Sequence, residues 1–326
     1  GLASSGDATK NTVNINGGDV NNHNVYGAWT TSGNATGNTV TIKGNGGTVK
    51  EIIGGRSNSG KATNNTVNLG DGKSDFTTGI TGTISGGSGA TYGNDYMTGN
   101  TLNVYDNVSA SDIRNFAELN FHFNSFVTKT DSFLTLSNTS GTTIRSLNDI
   151  NVHGAHAMKG TLIRNAHGVT VSDNKHRLVK TMSDTNKEFV LAKGTNEITY
   201  EGYSFAHQTT PTTAQNGADT DTWGGRSVGG NSTHDNEITV NSDSHTNVYG
   251  GWTSGEGTTA ADKNNSYKNK VTVKGSATVS DKVYGGYTDV TGGTATGNTV
   301  TVEKDLNADL VGGKAAAEAS GNTVNV

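Results

Sequence analysis

A short phrase such as Val-Tyr-Gly-Gly recurs in this sequence, and an aromatic or cationic residue follows its Gly-Gly or Gly-Ala pair in most copies, at a spacing that could bring these residues into one column. The residues at this position are Trp29, Arg56 and Ser88 in the first part of the chain and Arg226, Trp252, Tyr287 and Lys314 in the last part. If the segments that carry them stack in register, a guanidinium or ammonium group lies over the ring of a neighbour, which attracts the cation electrostatically.

Two interpretations of this column stay open. The rings and cations could stack only to stiffen the fold, or they could form an exposed stripe that binds a glycan or a partner protein. The second is reasonable because aromatic residues and arginine are enriched at binding hot spots. On that interpretation the candidate ligand-binding residues are Trp29, Arg56, Arg226, Trp252, Tyr287 and Lys314.

Histidines in the middle of the chain could in principle bind a metal. They are His153, His156, His167, His176 and His207. No carboxylate lies within this group, and its spacing fits no zinc motif built on paired ligands. We therefore expect surface histidines on loops, with no metal site and no cofactor.

Two pairs of acids could in principle cleave polysaccharides, since glycosidic hydrolysis uses a pair of carboxyl groups. The pairs are Asp71 with Asp75 and Asp219 with Asp221, both set among Gly, Ser and Thr residues typical of turns. A nucleophile elbow and a glycine-rich calcium-binding repeat are both missing. The sequence therefore favours a protein that is not an enzyme.

The composition of the chain limits the classes of partner that it can bind. The 326 residues carry a formal charge of −5, with no block of Lys or Arg, so the attraction that drives nucleic-acid binding has no source. No run of apolar residues is long enough to predict a membrane-spanning helix. The chain has no cysteine, which excludes disulfides and thiolate metal sites. We expect neither nucleic-acid binding nor membrane insertion by this segment.

Two short phrases recur along the chain and predict its fold. Strands of the form Asn-Thr-Val-Thr-Val begin at Asn11, Asn38, Asn65, Asn100, Asn236, Asn269, Asn298 and Asn322, and phrases such as Val-Tyr-Gly-Gly lie between them. A repeat of about 24 to 35 residues is typical of stacked coils. Alternation points the Val and Ile side chains inward and the Thr side chains outward. The pattern predicts an all-β, parallel β-helix (β-solenoid), an elongated rod of roughly 12 coils at about 27 residues each.

The asparagine that opens each strand has two interpretations. Its amide could bond to the amides of the neighbouring coils in a ladder, which would satisfy polar groups inside the fold. Alternatively, it could follow a left-handed turn residue, because glycine often precedes it, as at Gly37 and Gly297.

The repeats are interrupted. Residues 1–105 and 222–326 carry them, whereas in 106–205 glycine becomes sparse and every phenylalanine except Phe76 occurs. We interpret 106–205 as a further β-helix block because short alternating pairs run through it, including Ile150/Val152 and Ile198/Tyr200. Residues 206–221, with the single proline, are expected to form a loop or hinge.

These phrases, together with the middle segment Ile113-Arg114-Asn115-Phe116-Ala117-Glu118-Leu119-Asn120-Phe121, resemble the passenger domains of large autotransporter (type V secreted) adhesins of Gram-negative anaerobes. The resemblance covers nearly the whole chain and rests on the order of weak motifs. It implies a right-handed parallel β-helix on the bacterial surface, secreted through a separate C-terminal barrel, that attaches to host or neighbouring cells. It provides no catalytic residues.

The leading hypothesis is a non-enzymatic surface adhesin or stalk, extracellular, with a surface protein or glycan of a host or bacterium as partner. A second is a subunit of an extracellular fibre that self-associates at the solenoid ends through unpaired strand edges. A third is a polysaccharide-degrading enzyme on the same scaffold.

Overall fold

The computed structural model describes residues 1–44, 46–123, 132–154, 159–182, 186–216, 219–228, 231–255 and 264–326. These residues form short β strands, with one 3-10 helix at Leu147–Asp149 and no α-helix among them. No helix in this part of the chain has the length and apolar character needed to span a membrane. The fold divides into a first unit of Gly1–Ala155, Gly160–Leu178 and Leu191–Tyr200, and a second unit of His156–Lys159, Val179–Val190 and Glu201–Val326.

The strands of the first unit are, in chain order, β1 (Leu2–Ala3), β2 (Ala8–Thr9), β3 (Thr12–Ile15), β4 (His23–Thr30), β5 (Ala35–Thr36), β6 (Thr39–Ile42), β7 (Thr48–Ser57), β8 (Thr66–Leu69), β9 (Gly79–Ile80), β10 (Thr83–Gly89), β11 (Thr101–Val104), β12 (Val108–Ala110), β13 (Asp112–Arg114), β14 (Glu118–His122), β15 (Ser132–Leu136), β16 (Thr142–Ile144), β17 (Ile150–His153), β18 (Gly160–Asn165) and β19 (Val169–Val171). Three strands have residues in both units: β20 (Arg177–Thr181), β21 (Lys187–Lys193) and β22 (Glu197–Phe205). The strands of the second unit are β23 (Thr212–Asn216), β24 (Asp219–Ser227), β25 (Thr233–His234), β26 (Glu237–Val240), β27 (Ser244–Thr253), β28 (Ser266–Tyr267), β29 (Lys270–Val273), β30 (Thr278–Thr288), β31 (Thr294–Thr296), β32 (Thr299–Val302), β33 (Asp309–Lys314), β34 (Glu318–Ser320) and β35 (Thr323–Asn325).

The strands that carry the Asn-Thr-Val phrase form one parallel sheet in each unit, which we call the valine sheet. In the first unit its order is β3, β6, β8, β11, β14, β17, and in the second it is β26, β29, β32, β35. Equivalent aliphatic residues pair directly: Val13 with Val40, Val40 with Val67, and Val271 with Val300. The predicted stack of valines is therefore confirmed within each unit, and it gives strands of mostly four residues a continuous apolar core.

The strands that carry the Gly-Gly phrase form a second parallel sheet in each unit, which we call the glycine sheet. Its order is β1, β4, β7, β10, β13 in the first unit, with β9 beside β7, and β24, β27, β30, β33 in the second. In the second unit a third parallel sheet, β25, β28, β31, β34, runs through the corner between the other two. Each repeat of that unit thus contributes one strand to each of three sheets.

Smaller sheets complete the first unit. They are β2 with β5, β16 with β19, and β12 with β15 and β18, all parallel. The early residues of β22 pair antiparallel with β18, from Tyr200 opposite Gly160 to Glu197 opposite Arg164. Phe133 and Tyr200 are fully buried here, and Phe123 packs on both rings, at centroid distances of 5.1 and 5.0 Å.

The middle block is built from the strands that its alternating pairs predict. Ile150/Val152 lie in β17 and Ile198/Tyr200 in β22, and all four side chains are buried. The sequence predicts a loop or hinge at residues 206–221, but they contain β23 and the start of β24, which pair antiparallel. Apolar and polar residues do not alternate over this segment, where Ala214 is the one apolar residue among its strand positions, so its strand character does not stand out from the sequence.

The asparagine ladder is confirmed, and it coexists with the left-handed turn. Each amide Nδ2 donates to the Oδ1 of the next asparagine, along Asn11, Asn38, Asn65 and Asn100 in the first unit (2.8, 2.9 and 3.2 Å) and along Asn236, Asn269, Asn298 and Asn322 in the second (2.7, 3.0 and 2.9 Å). The residue before each one has positive φ, including Gly37 at 68° and Gly297 at 64°. The left-handed turn therefore directs the asparagine side chain inward, and the ladder provides hydrogen-bond partners for its buried amide.

Room for neighbouring backbone explains the Gly-Gly pairs. None of the glycines in the Gly-Gly pairs of the glycine sheet has a positive φ. A Cβ on Gly250 would overlap the carbonyl oxygen of Gly285 in the next repeat, and a Cβ on Gly251 would overlap the Nδ2 of Asn269 in the ladder. The pair therefore lets the glycine sheet and the ladder approach each other more closely than any larger residue would allow.

Candidate functional site

The glycine sheet of the second unit brings four predicted residues into one column, which we call the outer column. Arg226 pairs in register with Trp252, Trp252 with Tyr287, and Tyr287 with Lys314. The guanidinium carbon of Arg226 lies 4.4 Å from the Trp252 ring centroid, and the Lys314 Nζ lies 5.2 Å from that of Tyr287. The stacking of a cation over a neighbouring ring that the spacing predicts is therefore present at both ends of the outer column.

Behind these residues lies a second column, which we call the inner column, formed by Trp223, Tyr249 and Tyr284. The two tyrosine rings stack at 5.1 Å and 7°. Each is buried, and together they form a cluster separate from the aliphatic core. Sequence reasoning did not select them as site residues, although the aromatic residue just before each Gly-Gly pair was the available signal.

The two columns are packed into one layer. Tyr249 stacks on Trp252 at 4.8 Å and 22°, Tyr287 meets Tyr284 edge-on at 5.2 Å, and Arg226 also lies 4.8 Å from the Trp223 ring. Trp252 and Tyr287 are partly exposed and Lys314 is exposed, so the outer column forms the surface of the layer.

Burial keeps the tyrosine hydroxyls of this layer protonated. It raises the pKa of Tyr249, with the nearby Asp221 carboxylate adding to the effect. Burial likewise raises the pKa of Tyr284 and of Tyr287. The hydroxyl groups therefore remain hydrogen-bond donors at any physiological pH.

The first unit carries a shorter version of the same arrangement. Trp29 pairs in register with Arg56, and Arg56 with Ser88. The Arg56 guanidinium carbon lies 5.1 Å from the Trp29 ring centroid, and Tyr26 packs against Trp29 at 5.4 Å. Ser88 is neither aromatic nor cationic, so the column of the first unit contains one ring and one cation.

Comparison with protein-family models, curated proteins and solved structures gives no match. The geometry of the chain's own residues is therefore what indicates a function.

The structure places a third acid beside the first of the predicted acid pairs. Asp71 and Asp75 lie near Asp106, whose pKa is raised to about 6, mainly by burial and then by these two charges. The Oδ2 of Asp106 is buried. Asp221 accepts a hydrogen bond from Asn247 at 3.0 Å, and the side chain of Asp219 lies outside the described residues.

The middle-block histidines are dispersed in their roles. His153 stacks on His122 at 4.4 Å, His167 and His176 are exposed, and His156 lies outside the described residues. His207 instead joins His234 and Glu188, which sequence reasoning did not select. Burial alone would lower the pKa of His234, but its hydrogen bonds to Glu188 and Asp235 outweigh burial and raise that pKa.

A cavity of about 450 Å³ in the first unit is lined by residues that include Phe116, Arg114 and Arg145. Its two arginines are paired internally, Arg114 with Asp112 at 3.1 Å and Arg145 with Asp149 at 2.7 Å. An acidic ligand in this cavity would compete with these acids for the arginines. The outer column of the second unit is therefore the better candidate site.

Proposed function

We propose that this chain is part of a non-enzymatic bacterial adhesin, displayed outside the cell, in which each unit is a right-handed parallel β-solenoid that presents a repetitive face. Three features support this proposal: the in-register parallel pairing of successive repeats, the continuous asparagine ladders, and the resemblance of the repeat phrases to autotransporter passenger domains.

The observation that carries the proposal is the outer column of the second unit. Two rings and two cations lie on consecutive repeats, with their exposed edges on one face. Aromatic rings of this kind are held rigidly by the inner column, so little conformational entropy would be lost when a ligand binds.

The ligand that suits this surface best is a glycan. The apolar face of a sugar ring can pack on Trp252 and Tyr287, while the Arg226 and Lys314 donors can bond to hydroxyl or acidic groups. The repeat spacing of a parallel sheet, about 4.8 Å, is similar to the length of one sugar residue, so a linear chain could contact several repeats at once.

The double substitution Trp252→Ala and Tyr287→Ala tests the proposal. We expect binding to an array of neutral and acidic oligosaccharides, and attachment to cells, to fall at least tenfold, as at a hot spot. Tyr92→Ala is the matched control, because Tyr92 is the most exposed large aromatic side chain in the first unit and lies outside the stripe.

Circular dichroism and thermal unfolding must first show that the double variant keeps its β structure. If the folded double variant binds glycans and cells as well as the wild type does, the outer column is not the attachment site.

A further inference from the structure

Four side chains converge in the second unit, away from the stripe: Glu188, His207, His234 and Asp235. The Nε2 of His234 lies 2.8 Å from Glu188 Oε2, and the Nε2 of His207 lies 3.4 Å from Glu188 Oε1. On its other side, the Nδ1 of His234 lies 2.8 Å from Asp235 Oδ2. The ligand atoms of His207, His234 and Asp235 all lie within 4.8 Å of one another.

The repeat corner explains how these residues meet. His207 and Asp235 occupy the left-handed position that precedes the ladder, with φ of 55° and 52°. The next residue after His207 is Gln208, whose backbone N–H donates to the ladder residue Asn236 at 3.1 Å. Gln208 therefore begins the ladder of the second unit, and its corner stacks directly on the corner of the next repeat.

His234 is held in a fixed orientation. Its ring stacks on the Tyr267 ring of the following repeat at 4.9 Å and 5°, and its side chain is mostly buried, at 14% exposure. Glu188 is similarly buried, at 15%, and its two carboxylate oxygens face the Nε2 atoms of His234 and His207. The carboxylate is thus fixed in place between two imidazoles.

We propose that Glu188, His207 and His234 bind one divalent transition-metal ion of the zinc class, with Asp235 orienting His234 through its Nδ1. Zinc bonds of about 2.0 Å in a tetrahedron place ligand atoms about 3.3 Å apart. The separation of His234 Nε2 from Glu188 Oε2 is 2.8 Å, and that of His207 Nε2 from the other oxygen, Oε1, is 3.4 Å, so the carboxylate faces both imidazoles at distances near this value. A carboxylate on the far nitrogen of a metal-binding histidine is the usual support for such a ligand.

The ligand set also selects the class of metal. Two imidazole nitrogens and a carboxylate suit zinc, cobalt or nickel, whereas calcium and magnesium need several oxygen ligands. The ion would replace the proton on His234 Nε2, which would be released to solvent, and the two carboxylates would balance its charge. Bound there, it would connect β21 through Glu188 to the first corner of the repeats.

The test is calorimetric titration of the full chain with ZnCl2, after treatment with a chelator. We expect one saturable site at micromolar zinc, a rise in the unfolding temperature, and visible absorption bands when CoCl2 is used instead. CaCl2 should produce none of these effects. No saturable binding, or an equal response to calcium, would overturn the proposal.

His207→Asn is the deciding variant, because the His207 side chain is 59% exposed and its loss should leave the fold intact. We expect zinc affinity to fall at least tenfold and the cobalt bands to disappear. His167→Asn, at an exposed histidine in the first unit, is the matched control and should bind zinc as the wild type does. If His207→Asn binds zinc with unchanged affinity, the ion is held elsewhere and the assignment is wrong.

Discussion

The asparagine that opens each valine-sheet strand is more than a polar residue tolerated in the core. Asn65 is fully buried, and its Oδ1 accepts from both the backbone N–H (3.0 Å) and the Nδ2 (2.9 Å) of Asn38. Its own Nδ2 donates to Ala35 O at 3.1 Å and to Asn100 Oδ1 at 3.2 Å. One side chain thus joins three consecutive repeats, because it bonds to Asn38 and Ala35 in the repeat before it and to Asn100 in the repeat after it.

Asn65→Ala should therefore destabilise the first unit strongly. It leaves the Asn38 backbone N–H and the Ala35 carbonyl without partners, and it leaves the Asn38 Nδ2 with only its bond to Ala8 O at 3.0 Å. Each buried group that loses its partner costs about 1–3 kcal/mol, so we expect a loss of about 3 kcal/mol or more. Asn68→Ala, in the same strand, is the control. Asn68 is only partly buried and bonds to Thr41 and Asn103 on the outer face, so its loss should cost less than about 1 kcal/mol.

Urea unfolding of the two variants measures the difference in the free energy of unfolding. Equal losses for Asn65→Ala and Asn68→Ala would mean that the buried ladder has no special role in stability.

Sequence alone was sufficient to find the repeat residues and insufficient to find the cluster of Glu188, His207 and His234. The position of Asn65 is visible because the same residue recurs in register in most repeats. At Gln208 the asparagine is replaced and the Thr-Val phrase is missing, so the corner that holds His207 does not look like a repeat. Glu188 and His234 are separated by 46 residues, and only the fold brings them together.

At the scale of the element, strand prediction succeeds where a strand has one buried face. Most valine-sheet strands alternate between buried and more exposed residues, as β6 and β32 both do. The sequence of β23, Thr-Thr-Ala-Gln-Asn, does not alternate between apolar and polar residues. This strand pairs antiparallel with β24, and its threonines give no distinctive signal for that pairing. Prediction therefore fails where pairing rather than burial determines the strand.

The end of the valine sheet in the first unit carries a stack of rings, Tyr105, His122 and His153, with centroids 4.1 and 4.4 Å apart. Burial lowers the pKa of His122 from 6.5 to about 4, and the neighbouring His153 adds to this shift. Between these two pH values the unfolded chain binds more protons at this position than the folded chain does. The stability of the first unit should therefore fall as the pH falls through this window.

His122→Phe tests this expectation, since it keeps a ring in the stack and removes the titrating group. The wild type should lose stability between neutral pH and the middle of the window, and the variant should lose less, as measured by urea unfolding. Asp106 opposes the effect, because its pKa is raised from 3.8 to about 6 and the folded chain binds the extra proton. The comparison is therefore made in an Asp106→Asn background, where identical pH profiles with and without His122 would contradict the prediction.

At the scale of the whole molecule, stability should be distributed over repeats rather than concentrated in one core. The buried aliphatic cluster of the second unit comes from consecutive strands of the valine and glycine sheets, such as Ile238, Val271 and Val300 beside Val248 and Val283. Each repeat pairs with the repeat before it and the repeat after it. Arrays of this kind gain their stability from neighbour-to-neighbour interfaces.

A break in the asparagine ladder of the second unit should therefore destabilise mainly the repeats next to the break. Asn269→Ala removes the link from Asn236 (2.7 Å) to Asn298 (3.0 Å), so amide hydrogen exchange should accelerate in β26, β29 and β32. The strands β6, β8 and β11 of the first unit serve as the internal reference and should keep their wild-type protection, because they belong to the other compact unit. A uniform loss of protection in all six strands would instead mean that the chain unfolds as one cooperative body, and the distributed view of its stability would be wrong.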